Sequence, residues 1–165
     1  MKAICIDGGA SKVAGSLVKQ LGSDTFGLDS DIIENRYKDQ QGFNHNFSSI
    51  DLDLQFERIP IGQDEKKQGD VYIKTIISTI DKLITSDNAI ISIAMPGVKT
   101  EDKKGISVMA NGPRIPNLIQ EVINYFGKSV KVLDIQSDAD MLSLIHISEP
   151  TRRTPISYAV FCLKK

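Results

Sequence analysis

The sequence predicts an α/β domain, a mixed sheet with helices packed over it, and three observations carry that prediction. Two short apolar segments flank a glycine turn near the N-terminus. A wide apolar stripe at helical spacing runs over residues 70–85. A continuous apolar run of strand length, AIISIA at 89–94, suits a strand buried on both faces, and VKVL at 130–133 reads as another buried strand. In chain order this reads hairpin, strand, helix, buried strand, helix, buried strand, helix, an order that builds helices over a sheet.

Taken in turn, KAICID at 2–7 alternates into a short strand, and KVAGSLV at 12–18 is its partner across the turn GGAS. Residues 32–37 form a third strand. The polar stretch 38–69 has no clear period and reads as an insertion on the substrate side. In 70–85, Val71, Ile73, Ile76, Ile77, Ile80, Leu83 and Ile84 make one broad apolar face, with Asp70 as an acidic N-cap. AIISIA is ended by Met-Pro-Gly. Residues 106–109 form a short strand, 117–126 an amphipathic helix, and Gly127 breaks the chain before 130–133. Ser137 then caps a helix that starts at Asp138.

With 165 residues, 41% of them hydrophobic and 25% charged, the chain has material for one sizeable core. No run reaches the apolar length that spans a bilayer, and the N-terminus lacks the charged, apolar and small-residue order of a signal peptide, so a cytoplasmic protein is expected. Cys5 and Cys162 form no CxxC, so neither a disulfide framework nor a local zinc site is indicated. The formal net charge of -1 gives no electrostatic reason to bind nucleic acid or an anionic membrane, which leaves small-molecule chemistry.

Residues 142–165, LSLIHISEPTRRTPISYAVFCLKK, hold no period for long and carry Pro150 and Pro155 where a buried helix should continue. Residues 142–152 and 156–163 match, in frame, the translation of a transposase-type sequencing adapter, with 153–155 as its variable barcode and Lys164 and Lys165 as a run of A. It is therefore read as a non-native tail, and His146, Ser148, Glu149, Arg152 and Arg153 receive no role. Arg152, Arg153, Lys164, Lys165 and Glu149 all belong to this tail, so the remaining chain is net acidic by four. The genuine domain is expected to occupy residues 1–141.

Three segments of that domain can carry chemistry. IDGGASK sets a carboxylate at a strand end before two glycines: Gly8 and Gly9 would let backbone N–H groups approach phosphate oxygens, and Asp7 could hold Mg2+. The same residues also suit a plain glycine turn with a solvated Asp. In AMPGVKTEDKKGISVMANGPRIPNL, which follows a buried strand, Asn111 could offer an amide to a polyol and Arg114 a charge, or Asn111 and Gly112 could simply turn the chain. In LDIQSDADM, Asp138 stands in the first turn of a helix after a buried strand, where it could accept a hydroxyl proton or only cap the helix.

In this order and spacing, the three segments resemble the N-terminal half of the ROK family of sugar kinases, within the actin, Hsp70 and hexokinase superfamily. IDGGASK resembles the family's DxGGTK phosphate motif, ANGPRIPN lies in a segment similar to its PG…G…N run, and SDAD resembles its NDAN. The resemblance covers residues 2–141 and implies a ribonuclease-H-like (actin-like ATPase) N-terminal domain. It also implies roles: Asp7 for Mg2+, Gly8, Gly9, Ser11 and Lys12 for the ATP phosphates, Asn111 and Gly112 for the sugar, and Asp138 as catalytic base. ATP and Mg2+ are the implied cofactors, a small sugar the substrate, and a homodimer the implied assembly of the intact parent.

The implied reaction transfers the γ-phosphoryl group of ATP to a sugar hydroxyl that Asp138 orients and deprotonates. Ser137 and Asp140 stand where NDAN has Asn, and Ala10 and Ser11 depart from the usual phosphate motif, which leaves the sugar open. A second domain, with the adenosine site and further sugar ligands, would follow in the parent, so the chain by itself is expected to lack kinase activity. Two other readings stay open: a sugar-responsive transcriptional regulator of the same family, and another actin-like-fold ATPase or acyl-dehydratase activator.

Overall fold

A computed structural model describes residues 2–22, 26–84 and 88–136 of the chain. Its strands are β1 (Lys2–Gly8), β2 (Lys12–Gln20), β3 (Phe26–Leu28), β4 (Ile33–Arg36), β5 (Ala89–Ala94), β6 (Val98–Lys99), β7 (Ile106–Val108) and β8 (Val130–Val132). The helices are α1 (Leu52–Phe56), α2 (Gln63–Leu83) and α3 (Leu118–Phe126).

The main sheet runs β3-β2-β1-β5-β8, with β4 also on β2. Its first strands are antiparallel: β1 with β2, then β2 with both β3 and β4. From β1 onward the sheet turns parallel, through β5 to β8. This is the mixed α/β sheet that the sequence predicts, in the ribonuclease-H-like order that the resemblance implies. Two antiparallel strands can join by a tight turn, whereas parallel neighbours need a crossover, and α2 and α3 supply the crossovers from the hairpin to β5 and from β5 to β8.

Ile4 and Ile6 of β1, Val13 and Leu17 of β2, and Ile91 and Ile93 of β5 join one buried cluster with Ile73, Ile76, Ile80 and Leu83 of α2. Removing such side chains from water stabilises by roughly 1.5–3 kcal/mol each. The helix can lie this close because β2 carries Gly15 beneath it. A Cβ there would sit 2.8 Å from Ile6 Cδ1 and 2.9 Å from both Leu83 Cδ1 and Thr79 Cγ2.

Several elements differ from the sequence reading. Helix α2 begins at Gln63, not at Asp70. Its first turns bury Glu65 and Gln68, polar residues that an apolar stripe cannot reveal. The third strand shortens to Ile33–Arg36 and shares β2 with β3, a three-residue strand not predicted. The supposedly irregular 38–69 region contains α1 as well as the start of α2. A two-stranded sheet of β6 and β7 stands apart from the main one. Among the described residues, no helix is long and apolar enough to cross a membrane.

Candidate functional site

Three neighbouring strand ends lie in register. Asp7 pairs with Ala94 in the parallel β1–β5 ladder, and Ala94 bridges Gln136 in parallel just beyond β8. Backbone bonds seal this edge: Gln136 N–H donates to Ile93 O at 3.1 Å, and Met95 N–H donates to Gln136 O at 3.1 Å. The carboxyl ends of adjacent parallel strands are where open α/β sheets gather ligands, because the connecting loops splay apart there. Asp7 is half-buried at this edge, flanked in register by Ala14 and Ala94, whose short side chains do not wall it in.

The hairpin tip follows at once. Gly8 pairs with Val13, so the chain reverses through Gly9, Ala10, Ser11 and Lys12. Neither glycine takes a left-handed backbone; the glycines that do are Gly42, Gly97 and Gly127. Gly8 is needed for packing instead, since a Cβ there would meet Met95 Cγ at 2.7 Å. Gly9 is different: the nearest atom to an added Cβ is Lys12 O at 3.4 Å, so nothing packs hard against its face. Ser11 is exposed and its carbonyl accepts Tyr37 N–H at 3.2 Å. Lys12 forms an ion pair with Glu34 on β4, which ties its ammonium to the side of the tip.

The residues expected to meet Mg2+ and phosphate therefore come together at one tip. Among the described residues, no three His, Cys, Asp or Glu side chains cluster as a metal cage. A single carboxylate such as Asp7 suits Mg2+, which is commonly held by one or two carboxylates with waters and substrate phosphates completing its shell.

Beneath the tip lies a tyrosine pair that the sequence reading did not single out. Tyr37 and Tyr72 stack with ring centroids 3.7 Å apart and planes at 10°. The Tyr72 hydroxyl donates to Ala10 O at 3.4 Å, while the Tyr37 hydroxyl is buried without a partner among the described residues. Burial pushes the Tyr37 phenol well above its ordinary range, and the nearby Tyr72 and Asp7 push it further. Burial alone raises Tyr72. Tyr37 was legible only as the end of a strand, and Tyr72 lay within the expected helix but outside the apolar face read from its spacing.

Asn111 and Gly112 lie on a separate loop after β7. Asn111 is exposed, while Gly112 is buried and clamped from both sides by Ser49. Gly112 N–H donates to Ser49 Oγ at 2.8 Å, and that hydroxyl donates back to Gly112 O at 3.0 Å. Gln55 secures the same loop by accepting Met109 N–H at 2.8 Å and donating to Met109 O at 3.2 Å. The 38–69 region thus scaffolds the loop that carries Asn111.

Arg114 corrects an expectation. Offered by the sequence as a charge for a substrate, it is instead buried against Glu65: Nε donates to Oε1 at 2.8 Å and Nη2 to Oε2 at 2.7 Å, while Nη1 donates to Ile59 O at 2.8 Å. Burial pushes Glu65 upward, but the hydrogen bonds and charge of Arg114 outweigh it and hold the carboxyl below its usual range. Glu65 in turn raises Arg114. A groove of about 890 Å3 lies beside this pair, lined by Phe56, Ile59, Val98 and Pro116 among others, and does not include Asp7 or Asn111. Ser137 and Asp138 lie outside the described residues.

No protein-family model and no curated protein matches the chain. Among solved structures, it is similar to the type II variant of the Aquifex aeolicus Ppx/GppA phosphatase, at 11% identity and a TM-score of 0.37, over 91% of this chain and 42% of that one. The chain thus spans about two fifths of that phosphatase's length.

Proposed function

We propose that the chain is the N-terminal half of an ATP-dependent sugar kinase of the ROK kind. The observation that carries this reading is the in-register edge of Asp7, Ala94 and Gln136, which sets a half-buried carboxylate and the open face of Gly9 beside the strand that leads, two residues on, to Asp138.

In this reading Asp7 holds Mg2+, which when bound neutralises charge on the ATP phosphates. Gly8, Gly9 and Ser11 present backbone N–H groups to those phosphates, and Lys12 holds the rim of the tip through Glu34. Asn111 binds sugar hydroxyls from a loop pre-ordered by Ser49 and Gln55, so less ordering entropy is lost when the sugar binds. Asp138 takes the proton of the attacking hydroxyl as its oxygen bonds to the γ-phosphorus, the bond to the β–γ bridging oxygen breaks, and ADP leaves. The adenosine side belongs to a second domain of the complete protein, so this chain alone does not turn over. A cytoplasmic protein, homodimeric when complete and independent of nucleic acid and membrane, fits the same proposal.

The test is ATP-dependent phosphorylation across a panel of aldoses and N-acetylhexosamines by the complete gene product. Formation of ADP and a sugar phosphate supports the reading. Sugar binding without phosphoryl transfer would replace it with the regulator reading, and no response to any sugar with intact ATP binding would leave another actin-like-fold ATPase.

A further inference from the structure

Tyr37 is 1% exposed and its hydroxyl has no hydrogen-bond partner among the described residues. A phenylalanine would fill the same space and keep the same stack on Tyr72, without stranding a donor away from water. Packing therefore gives no reason for the oxygen. Its surroundings do: the backbone N–H of Tyr37 is bonded to Ser11 O at 3.2 Å, and the hydroxyl of its stacking partner Tyr72 reaches Ala10 O at 3.4 Å, near the long limit for such a bond.

One carbonyl of the tip, that of Ala10, thus already turns inward to a tyrosine hydroxyl, and the next, that of Ser11, is tied to the Tyr37 backbone. A trans peptide sets its N–H opposite its C=O, so an inward Ala10 carbonyl turns the Ser11 N–H outward. A tip that rotates more N–H groups toward a bound anion must turn more carbonyls toward the tyrosines. A tyrosine phenol is protonated at neutral pH, so the hydroxyl is able to donate.

We propose that Tyr37 is a positioning residue for the hairpin tip: its hydroxyl is a reserved donor that pairs with a further tip carbonyl when an anion is bound there, holding the tip in its loaded shape. This rests on reading the tip as a phosphate turn. A bond made only in the loaded state shifts the equilibrium toward that state and tightens binding, while adding nothing to the empty protein.

The test uses the complete gene product labelled with 3-fluorotyrosine, titrated with Mg2+-ATP and read by 19F resonance and by thermal midpoint. Tyr37→Phe is expected to melt at or above wild type without ligand and to bind Mg2+-ATP about 10-fold more weakly, the worth of one hydrogen bond. In wild type the resonance lost in Tyr37→Phe is expected to shift on saturation. Should that variant not fold, Tyr72→Phe and single replacements of the other tyrosines assign the resonance by elimination in folded protein. An unchanged affinity in Tyr37→Phe, or a Tyr37 resonance that stays still at saturation, overturns the proposal. Asp7→Asn separates the two levels. If it loses binding while Tyr37→Phe does not, only the tyrosine's role falls; if it binds like wild type, the phosphate-turn reading falls, and the proposal with it.

Discussion

Arg114 and Glu65 form a buried bidentate pair, two N–H donors against two carboxylate oxygens at 2.8 and 2.7 Å, joining the start of α2 to the loop after β7. Each side chain is 4% exposed, so neither charge has water as an alternative partner. Removing one partner leaves the other charge stranded, which typically costs about 3–5 kcal/mol. Arg114→Met is expected to lower the unfolding free energy read from urea titration by that order, whereas the double variant with Glu65→Leu recovers part of the loss. A double-mutant cycle with no recovery would mean the charges are not coupled.

The same pair sets an acid limit. The folded pKa of Glu65 is depressed below the ordinary value of 4.5. Its contribution is therefore fully present above about pH 4.5, where the unfolded carboxyl is also ionised, and is lost as pH falls through the lower folded value. Stability measured from pH 6 downward should drop through this window in wild type, and the drop should shrink in Glu65→Gln.

Gly9 and Gly105 offer a contrast between ligand room and backbone room. An alanine Cβ at Gly105 would sit 2.1 Å from Pro116 O, a backbone atom that cannot swing aside, whereas at Gly9 the nearest atom is 3.4 Å away. Gly105→Ala is expected to destabilise by at least about 2 kcal/mol, and Gly9→Ala by no more than about 0.5 kcal/mol. In the complete protein, Gly9→Ala should nonetheless weaken Mg2+-ATP binding. Normal affinity with normal stability would remove Gly9 from the site.

Asp7 and Asp138 divide the proposed chemistry. Asp7→Asn is expected to weaken Mg2+-dependent ATP binding by about 100-fold, comparable to losses seen when metal sites are perturbed. Asp138→Asn should leave binding intact and reduce kcat by about 10^3, within the usual range for a general base. Equal effects of both variants on binding alone would argue that neither is the base.

On the proposed sugar-kinase reading, Ser49 is expected to act on sugar binding from outside the sugar. Ser49→Ala strands the buried Gly112 N–H, a loss of about 1–3 kcal/mol, and loosens the loop that presents Asn111. A raised KM for sugar with little change in KM for ATP is the expected pattern; a matching rise for both substrates would indicate general destabilisation instead.

The hairpin, the buried strand AIISIA and the α3 region were legible in the sequence because each is a local pattern: alternation, an unbroken apolar run, an amphipathic stripe ended by Gly127. Asp7, Gly8 and Gly9 could likewise be singled out, since a carboxylate and two glycines at a strand end form a chemical signature within a few residues. Strand β3 was not legible, because three residues carry no measurable period and exist as a strand only by bonding to β2. The early start of α2 was hidden for a related reason: its inward residues Glu65 and Gln68 are polar, and they are buried only because Arg114 and the Asn44 backbone N–H meet them.

By itself, then, the sequence determined the hairpin, the buried strand AIISIA, the main apolar faces and the chemistry available at the glycine tip, all of which depend on neighbours along the chain. Tertiary structure alone decided which residues meet across it. It brought Asp7, Ala94 and Gln136 into one register, turned Arg114 from a candidate ligand into a structural tie, made Ser49 the clamp of Gly112, and stacked Tyr37 on Tyr72 beneath the tip. These relationships join residues far apart in sequence, and a buried polar group is forced to find whichever partner the packed chain delivers to it.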